Sequence, residues 1–135
     1  MLKIMWVEAG KFLWKFGEET PVSADEMMPV GLRAQFSDWD SEFQSVYRGW
    51  LADDPRSGST LHDIRSALHS NGLRLRSMLA EETRQAVYYW FDVDRSEHED
   101  FRWERCPLCD RPLTLGSQNP NDALVCDNDM LVFPG

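Results

Sequence analysis

Apolar and aromatic residues at the start of the chain fall into two short runs, at residues 2–7 and 11–16. Glu8-Ala9-Gly10 separates them, and a glycine between two apolar runs is typical of a β-hairpin. Residues 17–31 contain two prolines and two glycines and are predicted to form a loop. Pro29 can stand in the first turn of a following helix, because a residue there needs no N–H partner.

The next apolar residues recur at spacings of three and four, which is the period of an amphipathic helix. Polar residues occupy the opposite face. The stripe is unusually aromatic, and its periodicity favours burial in a core over an exposed docking surface. It predicts a helix of about five turns with an apolar face of Leu32, Phe36, Trp39, Phe43, Val46, Tyr47, Trp50 and Leu51.

A second helix is predicted after the break at residues 53–60. Ser59 or Thr60 can cap it, with Asp63 completing an approximate capping box. The Asn-Gly pair at residues 71–72 is expected to end or kink this helix. Its apolar positions are Leu61, Ile64, Leu68, Leu75 and Leu79. Beyond it, the continuously apolar and aromatic residues 85–93 are predicted to form a third strand.

The formal net charge is −9, which changes the classes of partner to consider. Phosphate backbones attract basic surfaces, so the charge argues against direct nucleic-acid binding. It suits a basic protein partner or simply solubility. No apolar run is long enough to span a membrane, and charged residues interrupt the N-terminal segment, so we expect no signal peptide and a cytoplasmic location.

All three cysteines lie in the last thirty residues, and their spacing points to a metal. Cys106-Pro-Leu-Cys109 is followed, sixteen residues later, by Cys126-Asp-Asn-Asp129. Two thiolates in one tight turn can reach one tetrahedral metal, and a carboxylate oxygen binds zinc at about the same distance as an imidazole nitrogen. We therefore predict structural zinc at Cys106, Cys109, Cys126 and Asp129, since four protein ligands leave no open position for catalysis.

Two alternatives to this ligand set stay open. His98 or Asp127 could supply the fourth ligand. The missing fourth cysteine could also mean a lost metal, with the tail held instead by its apolar side chains: Trp103, Leu113, Leu115, Leu124 and Phe133. The odd number of cysteines favours a reducing compartment over disulfide pairing in both cases.

Residues 101–134 resemble the zinc ribbons at the ends of many small bacterial proteins, in which CPxCGxPL precedes a second C-x-x-C. Asp110 replaces the usual glycine and Asp129 the usual cysteine. The resemblance implies short strands at Phe101 and Trp103 and at residues 131–133. It implies little about function.

The predicted fold class is α+β, with a small antiparallel sheet, two amphipathic helices on one face and a C-terminal zinc-ribbon-like knuckle. We divide the chain into an α+β domain (1–93), an acidic linker (94–100) and a zinc-ribbon-like module (101–135).

The first ninety residues resemble the small acidic proteins encoded beside bacterial toxins as immunity partners. The resemblance rests on Leu13-Trp14 in the opening strand pair and on a helix centred on a tryptophan, from Leu32 to Trp39. It implies a cytoplasmic protein that occludes the active site of a cognate toxin.

Motifs of enzyme active sites are missing from the sequence, which has no G-x-G-x-x-G, P-loop, G-x-S-x-G or H-E-x-x-H. His62 and His69 share a helix face, but two turns is too far for one shared metal, and we expect both at the surface. We therefore expect a protein that is not an enzyme.

The expected function is binding of a protein partner, a basic toxin domain in the immunity interpretation. The alternative is a zinc-ribbon accessory or regulatory protein that docks onto a larger complex, with a link to nucleic acid through arginines of the tail. Tryptophan is enriched among the residues that contribute most to interfaces. The predicted partner-binding residues are the acids Asp92, Asp94, Glu97, Glu99 and Asp100, with Trp90 and Trp103 as exposed aromatics. A solvated linker is the competing interpretation of the acidic run, and Asp38, Asp40 and Glu42 form the second candidate surface.

Overall fold

The structure is a computed structural model that describes residues 1–17, 20–93, 101–115 and 123–134. Over these residues it has four helices and one six-stranded sheet, which confirms the predicted α+β class. No helix among them is long and apolar enough to cross a membrane. The elements in chain order are β1 (Leu2–Glu8), β2 (Lys11–Lys15), α1 (Ala24–Met27), α2 (Val30–Leu51), α3 (Pro55–Leu61), α4 (Ala67–Thr83), β3 (Val87–Trp90), β4 (Thr114–Leu115), β5 (Leu124–Cys126) and β6 (Leu131–Phe133).

Strands β1 and β2 form the predicted hairpin. They pair antiparallel from Leu2 opposite Lys15 to Glu8 opposite Lys11. Gly10 in the turn has φ of 80°, a conformation that costs glycine little because it has no Cβ. The hairpin therefore follows from the local sequence.

The sheet is mixed, so the predicted antiparallel arrangement is wrong. The strand order is β2-β1-β3-β6-β5-β4, and β3 lies parallel to both of its neighbours, β1 and β6. Strand β2 ends where β1 starts, since Lys15 lies opposite Leu2, so the helical segment between β2 and β3 begins and ends at that end of the sheet. Strand β3 consequently enters beside β1 in the same direction, as a crossover connection requires.

The long helix α2 confirms the prediction from periodicity. The first half of its apolar stripe, from Leu32 to Phe43, is buried, whereas Leu51 at its end is exposed. The second predicted helix corresponds to α4, and α3 occupies the segment that was predicted to be a break. Asp54 accepts a hydrogen bond from the backbone N–H of Arg56 and caps α3, with Pro55 in its first turn. Ser66 then caps α4. Thr60 lies inside α3, and α1 lies within the segment predicted to be a loop.

Helix α4 runs straight through Gly72, where an end or kink was expected. A Cβ at this position would lie 2.5 Å from Cε2 of the Tyr89 ring and 2.7 Å from its hydroxyl oxygen. The glycine therefore permits a close approach between helix and sheet. This approach lets the Tyr89 hydroxyl reach His69 one turn earlier in the helix.

The C-terminal strands continue the same sheet and share its core. Leu131 and Phe133 in β6 are fully buried, and the Trp103 ring lies 4.5 Å from that of Phe133, centroid to centroid. Phe101 and Trp103 do not form the predicted strand. Cys106 and Cys126 belong to the same buried cluster as the helices. The domain division stays a prediction, and its acidic linker lies outside the described residues.

Candidate metal centre

Four side chains at the C-terminal end of the fold converge on one point. One ligand atom from each of Cys106, Cys109, Cys126 and Asp129 lies within 4.8 Å of all the others. Asp129 Oδ2 is 3.2 Å from Cys106 Sγ and 3.6 Å from Cys126 Sγ, and the sulfurs of Cys109 and Cys126 are 3.6 Å apart. These residues lie close enough to hold a metal ion.

Two turns of the same construction supply these ligands, one at residues 106–110 and the other at 126–130. In each turn the sulfur of the first cysteine accepts hydrogen bonds from the backbone N–H groups two and three residues later. The fifth residue of each turn has positive φ, 60° at Asp110 and 56° at Met130. Glycine adopts this conformation most easily, and aspartate tolerates it, which explains how Asp110 can stand there.

The spacing of the donor atoms fits a tetrahedral zinc site. Bonds of about 2.3 Å to sulfur and about 2.0 Å to oxygen place tetrahedral donors about 3.5–3.8 Å apart. The three distances above lie between 3.2 and 3.6 Å. Because Asp129 stands in its turn where Cys109 stands in the other, its carboxylate takes the place of a fourth thiolate. The four donors therefore lie close enough to hold a metal ion.

Burial controls the protonation of these groups. It raises the pKa of the Cys106 thiol to about 12 and also raises the pKa of Cys126. Hydrogen bonds from the thiols, the one from Cys109 first, lower the pKa of the Asp129 carboxyl. Asp129 is therefore the anion of the group at neutral pH, and the two buried sulfurs gain negative charge only beside a cation.

The substitute ligands are not brought into this cluster. Asp127 Oδ1 accepts a hydrogen bond of 2.7 Å from the Tyr88 hydroxyl, and Asp127 is not among the four residues that converge. His98 lies outside the described residues. Of the apolar side chains proposed to hold the tail without metal, Trp103 and Phe133 are buried, whereas Leu115 is exposed.

The structure describes three of the seven predicted partner-binding residues. Trp103 is only 9% exposed, so the expectation that it is exposed is wrong. Its indole N–H donates to Asp92 Oδ1 at 3.1 Å, which fixes both side chains at the edge of the core. Trp90 is half-buried, with the Lys3 ammonium 5.4 Å from its ring centroid. The other acids lie at residues 94, 97, 99 and 100, outside the described residues.

The two histidines occupy different environments, and the expectation of two surface side chains is wrong for one of them. His69 is 3% exposed. Its Nε2–H donates to the carbonyl of Leu61 at 2.6 Å, and its Nδ1 accepts from the Tyr89 hydroxyl at 2.7 Å. Burial lowers its pKa, so the ring is neutral and serves the core. His62 is half-buried beside Trp50.

A cavity of about 330 Å³ lies at the carboxyl ends of the parallel strands β1 and β3. Its walls come from both strands, from α2 and from the segment around His62. The side chains that line it include Trp6, Tyr47, His62, Trp90 and Asp92. The sequence analysis missed this cavity, because residues from five separate elements, including His69 of α4, line it. The signal available was a tryptophan in each strand, Trp6 in β1 and Trp90 at the end of β3.

No protein-family model, curated protein or solved structure matches this chain. The resemblances to zinc ribbons and to immunity proteins therefore stay predictions.

Proposed function

We propose that Cys106, Cys109, Cys126 and Asp129 hold one structural zinc ion. The observation that carries this proposal is the convergence of three sulfurs and one carboxylate oxygen within 4.8 Å of one another. Sulfur-rich tetrahedral sites select zinc or iron among the common metals, and a four-coordinate protein site leaves no position for substrate. Its role would be to fasten the two turns to each other.

This fastening would stabilise the whole sheet. One turn leads directly into β6, which lies between β3 and β5. Cys106 and Cys126 also pack in the same core as the helices. We therefore expect loss of metal to weaken the whole described fold rather than the C-terminal residues alone.

The metal prediction is tested by elemental analysis of protein purified without chelator. We expect about one zinc atom per chain. Cys109→Ser removes one ligand. At zinc concentrations about 100-fold above the dissociation constant, metal binding contributes about 2.7 kcal/mol to stability, which the variant would lose. Asp127→Asn is the control, because it changes an acid in the turn at residues 126–130 that lies outside the cluster. Folded protein that contains neither zinc nor iron would refute the site.

We further propose that the chain is a non-enzymatic protein-binding protein, the immunity partner of a bacterial toxin. The net charge of −9 supports association with a basic partner, since complementary charge speeds encounter. A closed metal site supports a structural rather than a catalytic use of the cysteines. Inhibition would be steric, with the acidic protein covering a basic active-site cleft.

Coexpression with the proteins encoded by neighbouring genes tests this function. The proposal predicts that one of them arrests growth when expressed alone, forms a stable complex with this chain and is neutralised by it. A neighbour that forms a complex but has no toxic activity would instead favour the accessory function. If no neighbour is toxic and none binds, the immunity proposal is rejected.

A further inference from the structure

The three sulfurs of the metal centre differ in their access to solvent. Cys106 and Cys126 are buried, at 2% and 3% exposure, whereas Cys109 is half-buried. An oxidant in solution reacts first with a cysteine that it can reach and that carries negative charge. A thiol that coordinates a metal is deprotonated. Cys109 therefore meets both conditions when the site holds its ion.

A second sulfur lies beside Cys109 and can complete a disulfide. Cys109 Sγ and Cys126 Sγ are 3.6 Å apart, although the two residues belong to different turns. A disulfide bond is about 2.05 Å long, so the sulfurs need to approach by about 1.5 Å, which is a small movement for two side chains. Cys106 Sγ instead lies 3.2 Å from Asp129 Oδ2. The geometry pairs Cys109 with Cys126 and leaves Cys106 over.

We propose that Cys109 and Cys126 form an oxidation site, at which hydrogen peroxide makes a disulfide in place of the metal. This inference rests on the proposed zinc site. The Cys109 thiolate attacks one peroxide oxygen, the O–O bond breaks, and the products are the Cys109 sulfenic acid and hydroxide. The Cys126 thiolate then attacks the Cys109 sulfur, which forms the S–S bond and releases a second hydroxide. The two thiolates lose two electrons, and the peroxide gains them.

This oxidation removes two of the four metal donors at once. Three cysteines can form only one disulfide, so Cys106 and Asp129 remain. Two donors fall short of the four that a structural zinc site requires, so the oxidised chain can no longer hold the ion. Thiols reduce disulfides, which makes the change reversible. In a reducing compartment such a disulfide is transient, and transient disulfides there serve redox sensing.

The test is treatment of the zinc-loaded full chain with hydrogen peroxide. A zinc-sensitive dye measures released zinc, and mass spectrometry of proteolytic peptides maps the disulfide. We expect one zinc ion released per disulfide, a bond between Cys109 and Cys126, and renewed zinc binding after reduction with dithiothreitol. Cys106 should be the one cysteine of the oxidised chain that iodoacetamide labels in denaturant. A disulfide between another pair of cysteines, or zinc retained by the oxidised chain, would overturn the inference.

Urea and cysteine variants separate the folded geometry from the general reactivity of thiols. The same oxidation in urea removes that geometry and should give a mixture of pairings. In metal-free protein, Cys106→Ser keeps the proposed pair, whereas Cys109→Ser removes the accessible sulfur. Disulfide formation should be at least about tenfold slower in Cys109→Ser than in Cys106→Ser, with circular dichroism to check that both are folded. Equal rates, or the same mixture with and without urea, would refute the site.

The outcomes distinguish this inference from the proposed zinc site. If the purified chain contains zinc and peroxide does not release it through a bond between Cys109 and Cys126, the oxidation site fails and the structural zinc stands. If the chain contains neither zinc nor iron but peroxide forms that bond, the metal proposal fails and the pairing of the two sulfurs stands.

Discussion

Replacing Gly72 by alanine should destabilise the protein, although alanine is the better helix former. The new methyl carbon would meet three atoms of the Tyr89 side chain at 2.5, 2.7 and 2.9 Å. Contacts under 3 Å force one of the groups to move. Tyr89 is only 1% exposed and packs against Trp39 and His69, so its ring has no free space to enter.

The expected magnitude follows from three effects. Forcing an extra carbon into a packed core costs about 1–3 kcal/mol. A shifted Tyr89 ring also loses its 2.7 Å hydrogen bond to His69, which costs about 1 kcal/mol or more for a buried pair. The higher helix propensity of alanine returns about 1 kcal/mol. The net loss of unfolding free energy is therefore about 2 kcal/mol, or about 7 °C in Tm for a domain of this size.

Urea denaturation followed by circular dichroism measures this loss at a fixed zinc concentration, because bound metal would otherwise change the apparent stability. Gly31→Ala is the matched control, since it lies in α2 and a Cβ there meets no atom within 4 Å. That variant should equal the wild type or exceed it by up to about 1 kcal/mol. A Gly72→Ala variant as stable as the wild type would refute the close packing of α4 on β3.

Two further predictions concern the metal turn and the acidic segment. Asp110→Gly should raise the free energy of unfolding by up to about 1 kcal/mol, because glycine adopts the left-handed backbone conformation at this position without strain. The variant also loses the exposed Asp110–Arg105 ion pair at 4.0 Å, which contributes little. A lower urea midpoint than that of the wild type would contradict this prediction. Replacing Glu97, Glu99 and Asp100 by lysine should slow association with a basic partner and flatten its salt dependence, measured by stopped flow. The same change at Asp38 and Glu42 tests the second candidate surface. Unchanged kinetics in the first variant would make residues 94–100 a linker only.

Features that depend on neighbouring residues were predictable from the sequence. The β1–β2 hairpin and helix α2 follow from alternation, periodicity and Gly10, all of which act within one segment. The convergence of Cys106, Cys109, Cys126 and Asp129 was predictable for the same reason. Each turn brings its own pair of side chains together, so only the meeting of the two turns needed the fold.

Features that depend on distant segments were not predictable in this way. The direction of β3 is set by the path of the helices before it, which apolar periodicity does not report. Burial of His69 needs the Tyr89 hydroxyl twenty residues further on and the Leu61 carbonyl eight residues back. Within its own segment Gly72 predicts a break in the helix, and only the opposing Tyr89 ring explains why a glycine stands inside α4.

The split between α3 and α4 shows how a local signal can be misread. Both Thr60 and Ser66 have side chains that can cap a helix, and each is followed three residues later by a polar group. The choice between them depends on Asp54 and Pro55, which start a helix early enough to enclose Thr60.

The parallel pairing of β3 with β6 has a kinetic consequence. The register that places Tyr89 beside Leu131 joins residues about 40 positions apart, and chain entropy opposes closing so long a loop. If a metal first joined Cys106 to Asp129, the loop that remains between Tyr89 and Leu131 would contain only about 20 residues. Halving the loop lowers the closure cost by about 0.6 kcal/mol, which is close to a threefold gain in the chance of correct encounter. If the metal binds before β3 pairs with β6, the unpaired apolar edge of β3 would be accessible to other chains for a shorter time during folding.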